Sequence, residues 1–561
     1  MPLILPLPPR WTGAKTELIL HFHPITMKAL SAFLLLLFAV QLPAQDIFQR
    51  VYDCTSGNIR SVEAVGNGTY AGYDFRDAQF NNRQGLGVVK YDADQVPIWN
   101  KAYLSPGVNT DLFLSEMATT SDGGLVLGGI KRAALLDSAF VMKVNGDGDV
   151  LWTRVMPSAL VTGAAPGSKA SVLNVAAAAN GDVLATGYYS YVLAGDAVWK
   201  AFLTRISATG TVLWTKSYVS SVDPDTHNRA FDVRALPGGG LLLLGLTGVD
   251  GSWLARLEDD GTVVWSTRYS TTNGFDVLVP MEVFPTGTGF HIFLQPSPND
   301  PDLAVLLRAN ATGVLQSAQR YTTGQGWAAT NGVAELPSSG YLFSSITNPS
   351  MAFGLDNLHL LVTDANGTPT LSQSFGSDES EYGLAATMAP NGGYLVGGGA
   401  AYVDLDDHRG GTPPRPFLVK TNTQGDYTCG EGITVTVVDT AFTSEPRALV
   451  VGSISGWVST SMTSEVFLNS VTVCPTVGID EADVTPFQVL PNPASDLLTI
   501  VPPDGAIWDH ALLDATGRVV LSHPRTIGQL QVDVSGIAPG RFVLRSASGM
   551  AVRSTAVLVV R

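Results

Sequence analysis

Two short stretches of this 561-residue chain gather carboxylates beside a histidine. One holds Asp223, Asp225 and His227; the other holds Asp404, Asp406, Asp407 and His408. Carboxylates with an imidazole can coordinate a divalent cation or pass protons in acid–base catalysis. Each stretch also reads as a polar, solvated loop. A third stretch, Asn145-Gly146-Asp147-Gly148-Asp149, opens like a calcium loop, but no Glu follows at the required position. The equivalent places in other repeats read SATG, NATG and EDDG, so this is a hairpin turn. No G-x-S-x-G nucleophile elbow lies in a strand–turn–helix setting. A two-carboxylate glycosidase draws its acids from distant loops and leaves no local spacing. A hydrolase using the loop carboxylates therefore stands as the alternative to a non-enzymatic binding protein. No cofactor and no metal ion are expected.

The elements that must position these residues come from a repeat. An apolar strand ends in a basic residue or a substitute, a turn usually closed by glycine follows, and Trp often comes next. The copies read VVKYDADQVPIW from Val88, VMKVNGDGDVLW from Val141, LTRISATGTVLW from Leu203 and LARLEDDGTVVW from Leu254. Weaker copies are LLRANATGVLQS from Leu306, LVTDANGTPTLS from Leu361 and LVKTNTQGDYTC from Leu418. Their turn positions, Gln95, Gly148, Gly210, Gly261, Gly313, Gly367 and Gly425, stand 51 to 62 residues apart. Upstream of each turn lie two more apolar strands around a second turn, often Gly-rich, as in FDVRALPGGGLLLLG from Phe231. Glycine reaches positive φ at no steric cost, which suits tight hairpins. Four short strands at this period are the mark of a propeller blade.

The seventh copy lacks a fourth strand, because the chain runs from Gly425 into Cys429. Residues 47–53, IFQRVYD, match the fourth strands WNKAY, WTKSY and WSTRY found elsewhere. Lending that segment to the seventh unit closes a ring and removes a free sheet edge. The expected fold is all-β: a seven-bladed β-propeller closed by an N-terminal strand, followed by a small, Ig-like C-terminal β-sandwich. In such a ring the short hairpins share one face. The long connections 156–171, 190–200, 220–229, 295–303, 347–358 and 400–416 share the other. Rigid scaffolds carry function on such loops, so a site is expected there. The repeated Trp99, Trp152, Trp214 and Trp265 are expected to pack between blades.

The formal net charge of −16 argues against nucleic acid or an anionic membrane as a general partner. Three cysteines exclude a disulfide framework but allow one bridge. Cys54 should lie near Phe417, too far from Cys429 to pair. Cys429 with Cys474 is the preferred pair, enclosing a β-rich insert; three thiols are the alternative. Met27-Lys28, the apolar run from Phe33 to Val40, and Ala44 before Gln45 read as a secretory signal peptide cleaved between Ala44 and Gln45. The run is too short to be a transmembrane anchor. Residues 1–26 read as an upstream extension, 27–44 as the signal, 45–429 as the propeller, 430–475 as a β-rich insert or tail, 476–484 as a linker and 485–561 as the sandwich.

That last segment carries Pro491-Asn492-Pro493, then Asp514, Gly517 and Arg518, then Asp533, Ser535, Gly540 and Phe542. The set resembles the type A C-terminal sorting domain of the type IX secretion system of Bacteroidetes-type bacteria. It departs from the usual pattern with Phe542 in place of Tyr, and with Arg553 and Arg561 where lysines are usual. The blade array resembles the propeller-repeat proteins that often carry this domain. The resemblance implies export through the periplasm by the type IX machinery, removal of the domain, and release or attachment to surface lipopolysaccharide. The expected protein is therefore secreted or held on the outer surface, where its long-loop face binds a protein or polysaccharide.

Overall fold

All seven repeat turns place one residue in the left-handed region: Gln95 at φ 62°, then Gly148, Gly210, Gly261, Gly313, Gly367 and Gly425 at 73–87°. This common backbone requirement produces the echo in the sequence. A computed structural model describes residues 47–475 and 488–560 apart from short stretches, the longest being 158–168, 349–355 and 401–413. The described residues are almost entirely strand. Seven blades follow in chain order, each with four antiparallel strands running from the axis outwards. Blade 1 starts at Ser56–Val65, blade 2 at Thr110–Thr119, blade 3 at Lys169–Ala177 and blade 4 at Asn228–Ala235. Blades 5, 6 and 7 start at Val279–Pro285, Trp327–Glu335 and Glu381–Met388. The fourth strand of blade 7 is Phe48–Tyr52, which pairs with Arg415–Lys420 in the register Val51↔Phe417. Cys54 is buried just beyond it, its Sγ 3.5 Å from the Ser56 carbonyl.

The segment 430–475 does not fold as a separate insert. It gives each blade a fifth strand and visits the blades in reverse order. Gly430–Gly432 pairs with blade 6, Thr436–Asp439 with blade 5, Phe442–Pro446 with blade 4 and Leu449–Ser453 with blade 3. Val458–Ser459, Thr463–Val466 and Ser470–Pro475 then reach blades 2, 1 and 7. Neighbouring strands twist by roughly 20–25°, so a fifth strand is turned by about 80–100° from the innermost one. The outer edges therefore run around the ring, and one continuous belt can pair with each in turn. Cys474 lies opposite Gln49 in this belt, and Cys429 falls outside the described residues.

The core is divided among the seams between blades. The seam between blades 3 and 4, for example, buries Leu203, Tyr218, Val233, Leu243 and Trp253. The belt adds apolar side chains to several seams: Val437, Phe442, Leu449, Trp457 and Met462 each pack against a different one. The repeat signature builds the same seams. Tyr103, Tyr218, Tyr269 and Tyr321 donate their hydroxyls to the carbonyls of Gly148, Gly261, Gly313 and Gly367 in the following blade, at 2.6–2.8 Å. Trp99 and Trp152 donate to Gly146 and Ala208 at 3.2 and 3.0 Å. Contact is close enough that a Cβ on Gly313 would stand 2.5 Å from the Trp265 ring.

In the C-terminal unit, residues 477–561, the described residues form a sandwich of a three-stranded and a four-stranded sheet. Trp508, Leu512, Val532, Phe542 and Leu544 form its core. Pro491, Asn492 and Pro493 lie on its surface, where Asn492 Oδ1 accepts the Leu558 N–H at 2.8 Å. Asp514 accepts from the Arg518 N–H and Asp533 from the Ser535 N–H, at 3.1 and 2.9 Å. Asp514 and Asp533 thus fix turns, and Gly540 opens the strand that buries Phe542. Gly517 lies outside the described residues.

Candidate functional site

All seven innermost strands carry a β-bulge at the same level, for example between Ile59 and Ser61, Leu114 and Glu116, and Pro280 and Glu282. A bulge re-aims the side chains that follow it. Here the first residue after each bulge is Ser61, Glu116, Asn174, Asp232, Glu282, Gly332 or Ala385. Three of these side chains accept the backbone N–H of the next blade and lock neighbours together. Ser61 accepts from Met117 at 3.3 Å, Asn174 from Val233 at 3.4 Å and Asp232 from Val283 at 2.8 Å.

Below the bulges lies a cavity of about 510 Å³ in the channel, on the side of the short hairpins. One part of its wall is charged: Glu63, Glu116, Arg234 and Glu282, with Glu335 beyond them. Another is small: Gly332, Ala334, Ala385 and Ala386. Arg234 is 3.1 Å from Asp232 and also bonds Glu282. Burial works against this cation, yet the two acids hold its pKa above the usual arginine value. Burial and the neighbouring Asp232 push Glu282 well up. Across the channel, Glu116 accepts from the Ser61 hydroxyl and the Met117 N–H, but burial still raises it to about 7. Burial and then Glu116 raise Glu63 to about 8. The sequence reading missed these groups because they sit singly in seven repeats, on inner strands rather than in loops.

Of the residues expected to form a site, Asp223, Asp225, Asp404, Asp406, Asp407 and His408 lie outside the described residues, as do Ala44 and Gln45. His227 is described and exposed. The span 190–200, expected as a long loop, is mostly an extended hairpin, because strands Val183–Leu193 and Asp196–Ile206 stay paired to Leu193↔Asp196. Tyr, Val and Trp side chains favour that extension. The hairpin brings Trp199 beside the start of blade 4, where it bridges to His227. The rings of Tyr188 and Trp199 stack at 4.5 Å, and His227 lies 5.3 Å from Trp199. The Arg229 guanidinium sits 3.8 Å from the Trp199 ring centre. This aromatic and cationic cluster lies on the long-loop face, between blades 3 and 4. Tyr191 and Lys200, 5.3 Å apart, lie on the opposite face of the hairpin, toward blade 2, because side chains alternate along each strand.

The other described propeller histidines are structural. Burial lowers His291 to about 4 and His359 to about 3, and they bond Tyr341 and Ser372. Among the described residues no group of three His, Cys, Asp or Glu side chains could hold a metal ion. No described helix is long and apolar enough to cross a membrane.

No protein-family model and no curated protein matches this chain. Several solved structures overlap with it weakly. PorZ, a surface component of the type IX secretion system of Porphyromonas gingivalis, is 8% identical with a TM-score of 0.23. The overlap covers 92% of this chain and 100% of PorZ. A protein of unknown function from Dyadobacter fermentans is 12% identical at TM-score 0.35, covering 58% of this chain and 97% of that one. An α-L-arabinanase from Penicillium chrysogenum is 13% identical at TM-score 0.33, covering 67% and 98%. Likeness at this level carries no argument about activity. The propeller is established by its own strand pairing.

Proposed function

We propose that this is an exported, non-enzymatic propeller that binds a polysaccharide with its long-loop face, outside a bacterial cell. The observation that carries the reading is the cluster of Tyr188, Trp199, His227 and Arg229 at the mouth between blades 3 and 4. Stacked aromatics with a guanidinium offer an apolar body and polar edges on rigid strands, which suits sugar rings better than a flat protein surface. Export rests on the signal-like segment 27–44 and on the sorting-type residues Pro491, Asn492, Pro493, Asp514, Gly517, Asp533 and Gly540. In this reading residues 485–561 are recognised by the type IX machinery, and the propeller is then released or joined to surface lipopolysaccharide.

The test is a glycan array probed with the full chain. Binding to at least one glycan class, lost in Trp199→Ala, is the expected result; no binding to any class overturns the reading. Truncation before residue 485 should hold the protein in the periplasm of a host that has the type IX system.

We also propose that Cys429 and Cys474 join the two ends of the belt. Gly430, next to Cys429, pairs with blade 6, and Cys474 pairs with the adjacent blade 7. Peptide mapping without reduction should recover that cross-link. Recovery of both peptides as free thiols sinks it.

The alternative, a glycan hydrolase, would now rest on Glu63 and Glu116, two cavity carboxyls of neighbouring blades, the second of which raises the proton affinity of the first. A Glu63→Gln variant that abolishes glycan cleavage, against cleavage by the unaltered chain, would favour it.

A further inference from the structure

The cluster on the long-loop face also specifies the charge of what it binds; this inference rests on the binding reading above. The other described arginines of the propeller have partners within the chain. Arg60, Arg132, Arg205, Arg234, Arg268 and Arg320 each meet a carboxylate oxygen at 2.7–3.3 Å. Arg50 and Arg154 donate to backbone carbonyls at 2.7 and 2.8 Å.

Arg229 differs. It is half-buried, packed 3.8 Å from the Trp199 ring centre and 5.5 Å from that of Tyr188. No carboxylate and no hydrogen-bond acceptor meets it among the described residues. Its Nε is covered and unbonded, as is Trp199 Nε1, whereas its two outer nitrogens are left open. Asp137 of blade 2, whose charge acts on Tyr188, is held by Arg132 at 2.7 and 3.2 Å. Among the described residues the other polar ring at the cluster is that of His227, and no carboxylate faces it.

A desolvated cation without a counter-ion is costly. Leaving one so placed in a chain with 49 acids and 33 basic residues points to a counter-ion supplied from outside. A guanidinium held flat on an aromatic presents a planar fork that fits a carboxylate or sulfate with two parallel hydrogen bonds. We infer that Arg229 receives the carboxylate or sulfate group of an acidic polysaccharide whose sugar rings lie against the aromatic cluster.

The experiment titrates the full chain with three probes: a homogalacturonan octamer carrying carboxylates, a chondroitin sulfate oligomer carrying sulfates, and neutral dextran. The expected result is binding of at least one acidic probe, weakened at least tenfold in Arg229→Gln and less in Arg229→Lys. That binding should also fall with added salt. Thermal melts of both variants should match the unaltered chain. Preference for the carboxylate or the sulfate probe tells which group the fork takes. Equal binding of dextran, or unchanged acidic binding in a folded Arg229→Gln protein, overturns this inference and leaves the broader polysaccharide reading standing. Failure of all three probes, together with an empty glycan array, overturns both.

Discussion

The seam between blades 4 and 5 and the seam between blades 1 and 2 share one backbone design and differ in charge. In each, the first residue after a bulge is an acid, Glu282 or Glu116, and faces the residue two positions beyond the bulge of the preceding blade. At the first seam that residue is Arg234, which bonds Glu282 and Asp232. At the second it is Glu63, so a carboxyl stands where the guanidinium would be. One seam is closed by a cation between acids. The other is held by the Ser61 hydroxyl and a shared preference for remaining protonated. A repeat can thus keep its geometry while its charges diverge, and the divergence leaves a guanidinium at one seam and a second carboxyl at the other.

The largest test of this contrast removes the cation. Arg234→Met leaves Asp232 and Glu282 facing each other, and loss of a buried partner typically costs 3–5 kcal/mol; channel exposure of Arg234 lowers the expectation to roughly 2–3 kcal/mol. Urea unfolding at pH 7 measures it, and a loss below about 0.5 kcal/mol would mean that the seam is not held by charge.

The converse change, Glu63→Arg, installs the closed seam at blades 1 and 2. A gain of about 1–2 kcal/mol at pH 8 is expected from a charged hydrogen bond to Glu116. No gain would show that the two seams are not equivalent.

A third test uses pH alone. Folding raises Glu116 from 4.5 to about 7 and Glu63 from 4.5 to about 8. Between those limits the folded chain binds more protons than the unfolded one, so stability falls as pH rises from about 4.5 to about 8. Glu63→Gln should flatten that fall, read as the difference in urea midpoint between pH 5 and pH 8. An equally steep fall in the variant would remove Glu63 from the account.

The smallest effect is expected from Ser61→Ala, which deletes the bonds to Glu116 and to the Met117 N–H. It should cost about 1 kcal/mol and should raise the proton affinity of Glu116 further.

Much of this architecture was legible in the sequence. The positive φ at Gly148 and its equivalents, and the Tyr and Trp that bond the next blade, are imposed on every repeat and so recur visibly. The closing strand 47–53 could be recognised because it copies WNKAY and its relatives. The belt could not. Its strands are two to six residues long and take their partners from distant blades, so segments such as LVVGS carry no local sign of where they dock. The channel acids were equally hidden. Glu63, Glu116 and Glu282 are unremarkable in their own repeats and become a cluster only when the ring closes. Trp199 and Arg229 are 30 positions apart, and it took an unexpectedly long hairpin to join them.

The belt has a consequence for how such a protein can change. Tandem arrays ordinarily lengthen or shorten by copying or dropping one unit. Here the number of blades is written twice, once in the repeats and once in the seven short strands of 430–475. A chain that gained an eighth repeat would carry a belt one stop too short, and one that lost a repeat would have a strand with nowhere to dock. The segment is in effect a ruler. It holds the blade count fixed while the residues at the seams and on the loops remain free to diverge.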